Sequence, residues 1–357
     1  MLSSRPPPEI TLTPMACVPS LAERWRALEL AGDGGFFRSW AWVQCQAAAC
    51  SDAFVLTVQR DGQDMALALL NRAGGRFYLG ESGDRRHDAL FIEHNGVLLR
   101  RGAESILAEA LARLCASRPV VLSGVDAAHV LAARQAGLVV VAAERFAPHV
   151  VLDALQGPFL ASISANARGQ IGRSTRLYGP ELAIARAPGT ETALAWFGEL
   201  VRLHQARWEA DGHAGAFGTP AMLRFHEELI RTAHPCGQID LLRVTAGETD
   251  IGYLYNLCQG GHVLAYQSGF APAANAHLKP GLVSHALAIE HYRAAGAHIY
   301  DLLAGAARYK TTLAPHAGTH LYWVTLYSRR SLLGYARLCA GWAKRRLGGA
   351  VRNTGLM

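Results

Sequence analysis

The alternation of apolar and polar positions divides the chain into two similar runs of elements. Leu21, Trp25 and Leu28 recur at helical spacing over Leu21 to Ala31. Phe36 to Ala49 reads as a second helix, with Ser39 as its N-cap. FVLTVQR and QDMALALLNR are two β-rich runs around Asp61-Gly62, a dipeptide suited to a hairpin turn. A helix over Gly102 to Ser117 follows, then a strand over Val120 to Ser123, a helix over Asp126 to Gln135 and a strand over Leu138 to Ala142.

The second half repeats this vocabulary. Thr190 to Asp211 and Pro220 to Ala233 form amphipathic helices. Three short strands follow within Gln238 to Phe270, turning at Ala246-Gly247 and Gly260-Gly261. Gly281 to Ala295 is helical, and Ala297 to Leu303 and Tyr322 to Tyr327 are strands. Helix pair, antiparallel hairpin, helix and strand thus occur twice in one order, a duplication of pattern with poor sequence identity.

Length sets the scale of these repeats. The chain has 357 residues, half apolar and 18% charged, enough for two domains with their own cores. The expected division is a loose Pro-rich leader over 1–18, lobes over 19–150 and 151–327, and a basic helix and tail over 328–357. There is no apolar run long enough to span a bilayer and no basic-then-apolar secretory pattern, so a cytoplasmic protein is expected. The seven cysteines are scattered and never form CxxC, as expected of free thiols in a reducing compartment. HExxH, Gly-x-Ser-x-Gly, a Walker loop and GxGxxG are all missing, so metal, hydrolase, NTPase and dinucleotide readings lack support.

Charge is informative by position. The formal net charge is +7, yet no acidic residue follows Asp301. Nine basic residues do: Arg308, Lys310, Arg329, Arg330, Arg337, Lys344, Arg345, Arg346 and Arg352. The basic character belongs to the end of the chain, unlike a nucleic-acid-binding domain spread over the whole molecule. Within Ser328 to Gly348, Leu332, Leu333, Tyr335, Ala336, Cys339 and Trp342 make an apolar stripe among arginines and Lys344. Such a helix can contact an anionic membrane peripherally or dock on the second lobe with a cationic outer face, and docking is the expectation here.

The most suggestive stretch runs from Gln267 to Lys310. Lys279-Pro280-Gly281 opens a helix whose first N–H groups are unpaired and carry partial positive charge, a setting that attracts phosphate. An ordinary Pro-Gly helix start is the alternative. Asp301 ends a strand, and Tyr309 and Lys310 follow shortly after; Asp301 can serve as a general base or pair with Lys310. Tyr266 and Ser268 on the adjoining strand are expected to line the same cleft. Arg168, Gly172 and Arg176 share a helix face with Arg173 close by, suited to an anionic ligand or simply to water. Trp208 fits a core position or a substrate platform.

Together these segments resemble the acyltransferase domain of the CelD-like (cellulose-biosynthesis) branch of the GNAT superfamily. The matching residues are Lys279-Pro280-Gly281, Gly296, Tyr300-Asp301-Leu302-Leu303, Gly305 and Tyr309-Lys310. Upstream, Ser164, Asn166, Arg168, Ile171, Arg173 and Arg176 resemble that family's arginine-rich helix. His204, Arg207-Trp208, Gly212, Gly215 and Phe217 resemble its next segment. The likeness covers about Val150 to Leu313, and the first half resembles the divergent lobe of such proteins and of Fem-type peptidyltransferases.

The resemblance implies an α/β fold of tandem GNAT-like lobes, each a mixed, mostly antiparallel sheet flanked by helices. It implies transfer of an acyl group from acyl-CoA, such as acetyl-CoA, to the amine of a small or anionic acceptor. Fem-type relatives imply aminoacyl-tRNA as donor instead, and a non-catalytic subunit of a polysaccharide-biosynthesis assembly is a third reading. In this picture Asp301, Tyr309 and Lys310 are catalytic, and Lys279, Pro280, Gly281 and Ser284 bind the co-substrate. Arg168, Arg173, Trp208, Tyr266 and Ser268 bind the acceptor, and no metal takes part. The GNAT pyrophosphate signature Q/R-x-x-G-x-G/A is missing, Leu278 to Leu282 having a single glycine.

Overall fold

The computed structural model describes residues 7–340 except 33, 85, 86, 89–91, 211, 213, 214 and 306. It divides into two compact units, residues 1–144 with 321–357, and residues 145–320.

In chain order the first unit holds β1 (Glu9–Pro14), α1 (Leu21–Ala31), α2 (Trp40–Ala47), β2 (Ala53–Arg60), β3 (Gln63–Ala73), β4 (Arg76–Leu79), β5 (Leu98–Leu99), α3 (Leu107–Cys115), β6 (Val120–Val125) and α4 (Ala127–Gln135). Strand β7 (Val139–Val151) carries the chain into the second unit. There follow α5 (Ala165–Tyr178), β8 (Leu182–Arg186), α6 (Thr190–Ala210), α7 (Pro220–Ala233), β9 (Ile239–Ala246), β10 (Thr249–Gln259), β11 (His262–Phe270), α8 (Pro280–Ala294), β12 (Ile299–Asp301) and α9 (Arg308–Leu313). Strand β13 (Gly318–Tyr327) returns to the first unit.

Each unit is a mixed, mostly antiparallel sheet flanked by helices. In the first, β1-β2-β3-β4 is an antiparallel run, β4 pairs with β6 in parallel, and β6 pairs with β13 antiparallel. In the second, β8-β9-β10-β11 is antiparallel, β11 pairs with β12 in parallel, and β12 pairs with β7 antiparallel. Helix α3 lies in the connection between the first parallel pair and α8 in that between the second, so the repeated pattern is a repeated topology. Leu111 and Leu114 of α3 join the core of one unit, and Val283 and Ile289 of α8 that of the other.

Several expectations change on contact with the fold. Residues 9–14, assigned to a loose leader, form β1, with Ile10 and Leu12 packed on the core and the backbone paired to β2. The helix expected over Phe36 to Ala49 breaks at Ser39, which stays extended while its side chain accepts the Trp42 N–H, as an N-cap must. The hairpin holds, with φ of +51° at Asp61 and +75° at Gly62. The terminal segment 332–340 is helical, with Gly334 buried, Leu338 half-buried and Leu332, Leu333 and Tyr335 exposed. Trp342, Lys344, Arg345, Arg346 and Arg352 lie outside the described residues. Among the described residues no helix is long and apolar enough to cross a membrane.

The two parallel pairs end differently. In the first unit Asn95 fills the place where β4 and β6 part: its Nδ2 donates to Leu79 O at 2.9 Å and its backbone N–H to Gly124 O at 3.1 Å. Gly124, with φ of +64°, leaves room for Ile92 O, which a Cβ there would meet. Beside it, the buried Glu81 carboxylate accepts the Ser123 hydroxyl at 2.7 Å.

Candidate active site at the end of the second parallel pair

In the second unit β11 and β12 run in register from His262 beside Ile299 to Leu264 beside Asp301. There β12 ends, while β11 continues to Phe270, so the strands part. The departure is enforced by Leu303, a non-glycine residue with φ of +62° that persists only when its surroundings hold it. Asp301, fully buried, accepts the Leu303 N–H at 2.7 Å. The ammonium of Lys310 on α9 donates to Leu303 O at 3.0 Å and Ala304 O at 2.8 Å. Asp301 and Lys310 therefore grip one turn from two sides. The second carboxylate oxygen of Asp301 lies 3.2 Å from His262 Nε2, and His262 is 31% exposed where Asp301 is 0%. The pair thus joins a sheltered carboxylate to an imidazole that solvent reaches.

A β-bulge at Tyr255/Asn256 makes Tyr266 an extra residue in β11. Tyr266 consequently joins Gln267 on the side of Tyr255, whereas Ser268, opposite Leu254, falls on the other side. The simple two-residue alternation that placed Tyr266 and Ser268 in one cleft is broken there. On its side Tyr266 sits 5.5 Å from the ring of His226 and 5.6 Å from that of Tyr255. The same face carries Phe217, His204 and Trp208. Trp208, 40% exposed, donates its Nε1–H to His204 Nε2 at 2.9 Å, which leaves His204 Nδ1 to donate to Gln205 Oε1 at 3.2 Å. Burial holds the His204 pKa below its ordinary value and pushes that of His226 down to about 3.

On the opposite face His285 of α8 meets the Tyr300 hydroxyl at 2.8 Å and stacks on Tyr309 with ring centres 5.3 Å apart. Burial, aided by the charge of Lys310, pushes the His285 pKa down to about 3, and burial pushes Tyr309 up to about 12. Both rings stay neutral at physiological pH. Tyr309 is half-buried and packs on His285.

The opening of α8 is partly covered. Lys279 is the N-cap, and its N–H donates to Ser174 Oγ on the arginine helix α5 at 2.9 Å. A Cβ on Gly281 would stand 3.1 Å from the Phe270 ring, so this glycine makes room for an aromatic side chain rather than leaving the turn bare. The N–H groups of Gly281 and Leu282 belong to the first turn, where the helix itself offers no acceptor. Arg173 of α5 reaches the loop before α8, with Nη1 3.5 Å from His277 Nδ1. Arg168 is exposed further back on α5, beside Leu160 O at 3.5 Å. Ser284 is fully buried, beyond the reach of a phosphate arriving from solvent, and its hydroxyl has no hydrogen-bond partner.

The structure thus brings together Asp301 with Lys310, Arg173 with the Lys279 turn, and Trp208 with the Tyr266 face. It separates Tyr266 from Ser268 and sets Arg168 apart. Sequence reasoning missed His262 and Ser174. Only strand register brings His262 to Asp301. Ser174 carried a helical-face signal alone.

Residues 161–311 match a family model described as Acetyltransferase (GNAT) domain. FemX is similar in structure over 85% of this chain and 95% of its own, with a TM-score of 0.58 at 11% identity. L-PGS from Bacillus licheniformis is similar over 91% of this chain and 96% of its own, with a TM-score of 0.57 at 11% identity. No curated protein matches the sequence. Residues 161–311 are thus GNAT-like, and the fold is mixed α/β, with sheets flanked by helices, similar to those of FemX and L-PGS.

Proposed function

We propose that the second unit transfers an acyl group from a phosphate-bearing carrier to an amine. The observation that carries this reading is the Ser174–Lys279 hydrogen bond, which fixes the arginine helix beside the first turn of α8. Arg173, His277 and Lys279 then stand on the approach to the Gly281 and Leu282 amides, to which the helix itself offers no acceptor, a setting for phosphate. The acyl chain would enter where β11 and β12 part. The amine nitrogen attacks the acyl carbonyl carbon, a C–N bond replaces the C–S bond, and the departing thiolate takes up a proton. The proton lost by the amine passes to the His262–Asp301 pair, with His262 as the exposed partner. Lys310 positions the Leu303 turn, and Trp208 and Tyr266 line the acceptor face. Within the GNAT class we place the chain in the CelD-like branch, on its Tyr300-Asp301-Leu302-Leu303 and Tyr309-Lys310 segments.

Coenzyme A thioester is the donor of the main reading. The likeness to FemX and L-PGS supports aminoacyl-tRNA about equally, since a Fem-type resemblance implies that donor, and there the broken bond is an ester C–O. Thermal melting with acetyl-CoA or with charged tRNA separates the two. The thioester reading expects a rise in melting temperature of several degrees with acetyl-CoA at about 100 times its Kd, equivalent to about 2.7 kcal/mol, and none with tRNA. A rise with tRNA alone assigns the second donor, and no rise with either removes the carrier site.

A further inference from the structure

The terminal helix, residues 332–340, takes no part in the site described above and belongs to the other unit. Its attachment is narrow. Ser331 Oγ accepts the Gly334 N–H at 3.1 Å, and Arg337 donates to the Tyr327 hydroxyl at 3.1 Å. Gly334 lies so close to Tyr327 that an added Cβ would stand 2.7 Å from the tyrosine Cβ. The helix therefore rests on Tyr327 through Gly334. At about 100° per residue, Leu332, Ala336 and Cys339 cluster on the side roughly opposite Gly334, flanked by Tyr335 and Leu333. Leu332 is 86% exposed, Leu333 54% and Tyr335 48%. Ala336 and Cys339 are exposed as well.

In the sequence this stripe is flanked by cations. Arg329 and Arg330 precede the helix and are exposed, Arg337 lies within it, and the sequence beyond adds Lys344, Arg345, Arg346 and Arg352 without one acidic residue. Charge decides among the occupants. A second copy would bring its own arginines against these, and like charges repel. A nucleic acid would satisfy the arginines but leave two leucines and a tyrosine in water. An anionic bilayer takes both, with apolar residues below the headgroups and basic residues at their level.

We propose that the terminal helix is an interfacial docking face for an anionic phospholipid surface, independent of the transferase reading. The full-length protein should co-sediment at low salt with vesicles of about 3:1 phosphatidylcholine to phosphatidylglycerol, and tenfold less or weaker with pure phosphatidylcholine. The double substitution Leu332→Ser with Leu333→Ser should lower partitioning onto the anionic vesicles about tenfold or more, with an unchanged melting temperature because both side chains face outward. Equal partitioning of parent and variant, or of anionic and neutral vesicles, overturns the proposal. So does retention by tRNA without retention by vesicles, or a dimer in light scattering that the double substitution dissolves.

Discussion

Replacing Asp301 by Asn should lower amine-dependent acyl transfer on the order of 10²–10⁴-fold, the usual contribution of a positioned acid–base group. The substitution keeps the side-chain oxygen that accepts the Leu303 N–H, so the turn at φ of +62° keeps its support. What it removes is the negative charge beside His262 Nε2, 3.2 Å away. Without that charge an imidazolium formed during proton transfer loses its stabilising partner. Melting should move by no more than a few degrees, which distinguishes lost chemistry from lost fold. The measurement is the rate of product formation in the donor assay together with a melting curve. Parent-level transfer by Asp301→Asn would remove the pair from the mechanism.

A second large effect is expected in the first unit, where a pH change acts on stability. Burial pushes the Glu81 carboxyl up to about 7, against an ordinary value of 4.5; the Ser123 hydrogen bond opposes this, and the charge of Asp88 adds to it. The folded form thus holds a proton that the unfolded chain releases at lower pH. Stability from this group is complete below about pH 4.5 and is lost as pH rises through about 7, a fall of about 3 kcal/mol between those limits. Glu81→Gln keeps a neutral partner for Ser123 and cannot ionise. Denaturant unfolding at pH 5 and pH 8 should show the variant gaining about 2.5 kcal/mol on the parent between the two. Parallel stability curves would show that Glu81 does not ionise with the fold as described.

Helices and hairpins were legible in the sequence because their information is local. The Asp61-Gly62 turn needs two adjacent residues, and α7 begins at the Pro220 and ends at the Ala233 that its amphipathic spacing marks. Strands without strong alternation were not legible. Strand β8 has only partly covered or exposed residues, and β1 looks like a leader until β2 supplies its hydrogen bonds. The site divides along the same line. Asp301 and Lys310 stand out because a strand end and the residues soon after it share a turn. His262 lies 39 residues before Asp301 and meets it only through parallel register. The bulge at Tyr255/Asn256 has no local signature, and it alone sends Tyr266 and Ser268 to opposite faces.

The proposed function puts the carrier's phosphates at the first turn of α8, and calorimetric titration tests that proposal most directly. Coenzyme A and tRNA are titrated in turn into the parent and into Lys279→Glu, whose side chain reverses the charge at the N-cap. One of the two carriers should bind the parent, and its affinity should fall about tenfold or more in the variant. Equal affinity for that carrier in both proteins, or binding of neither carrier to the parent, would contradict it.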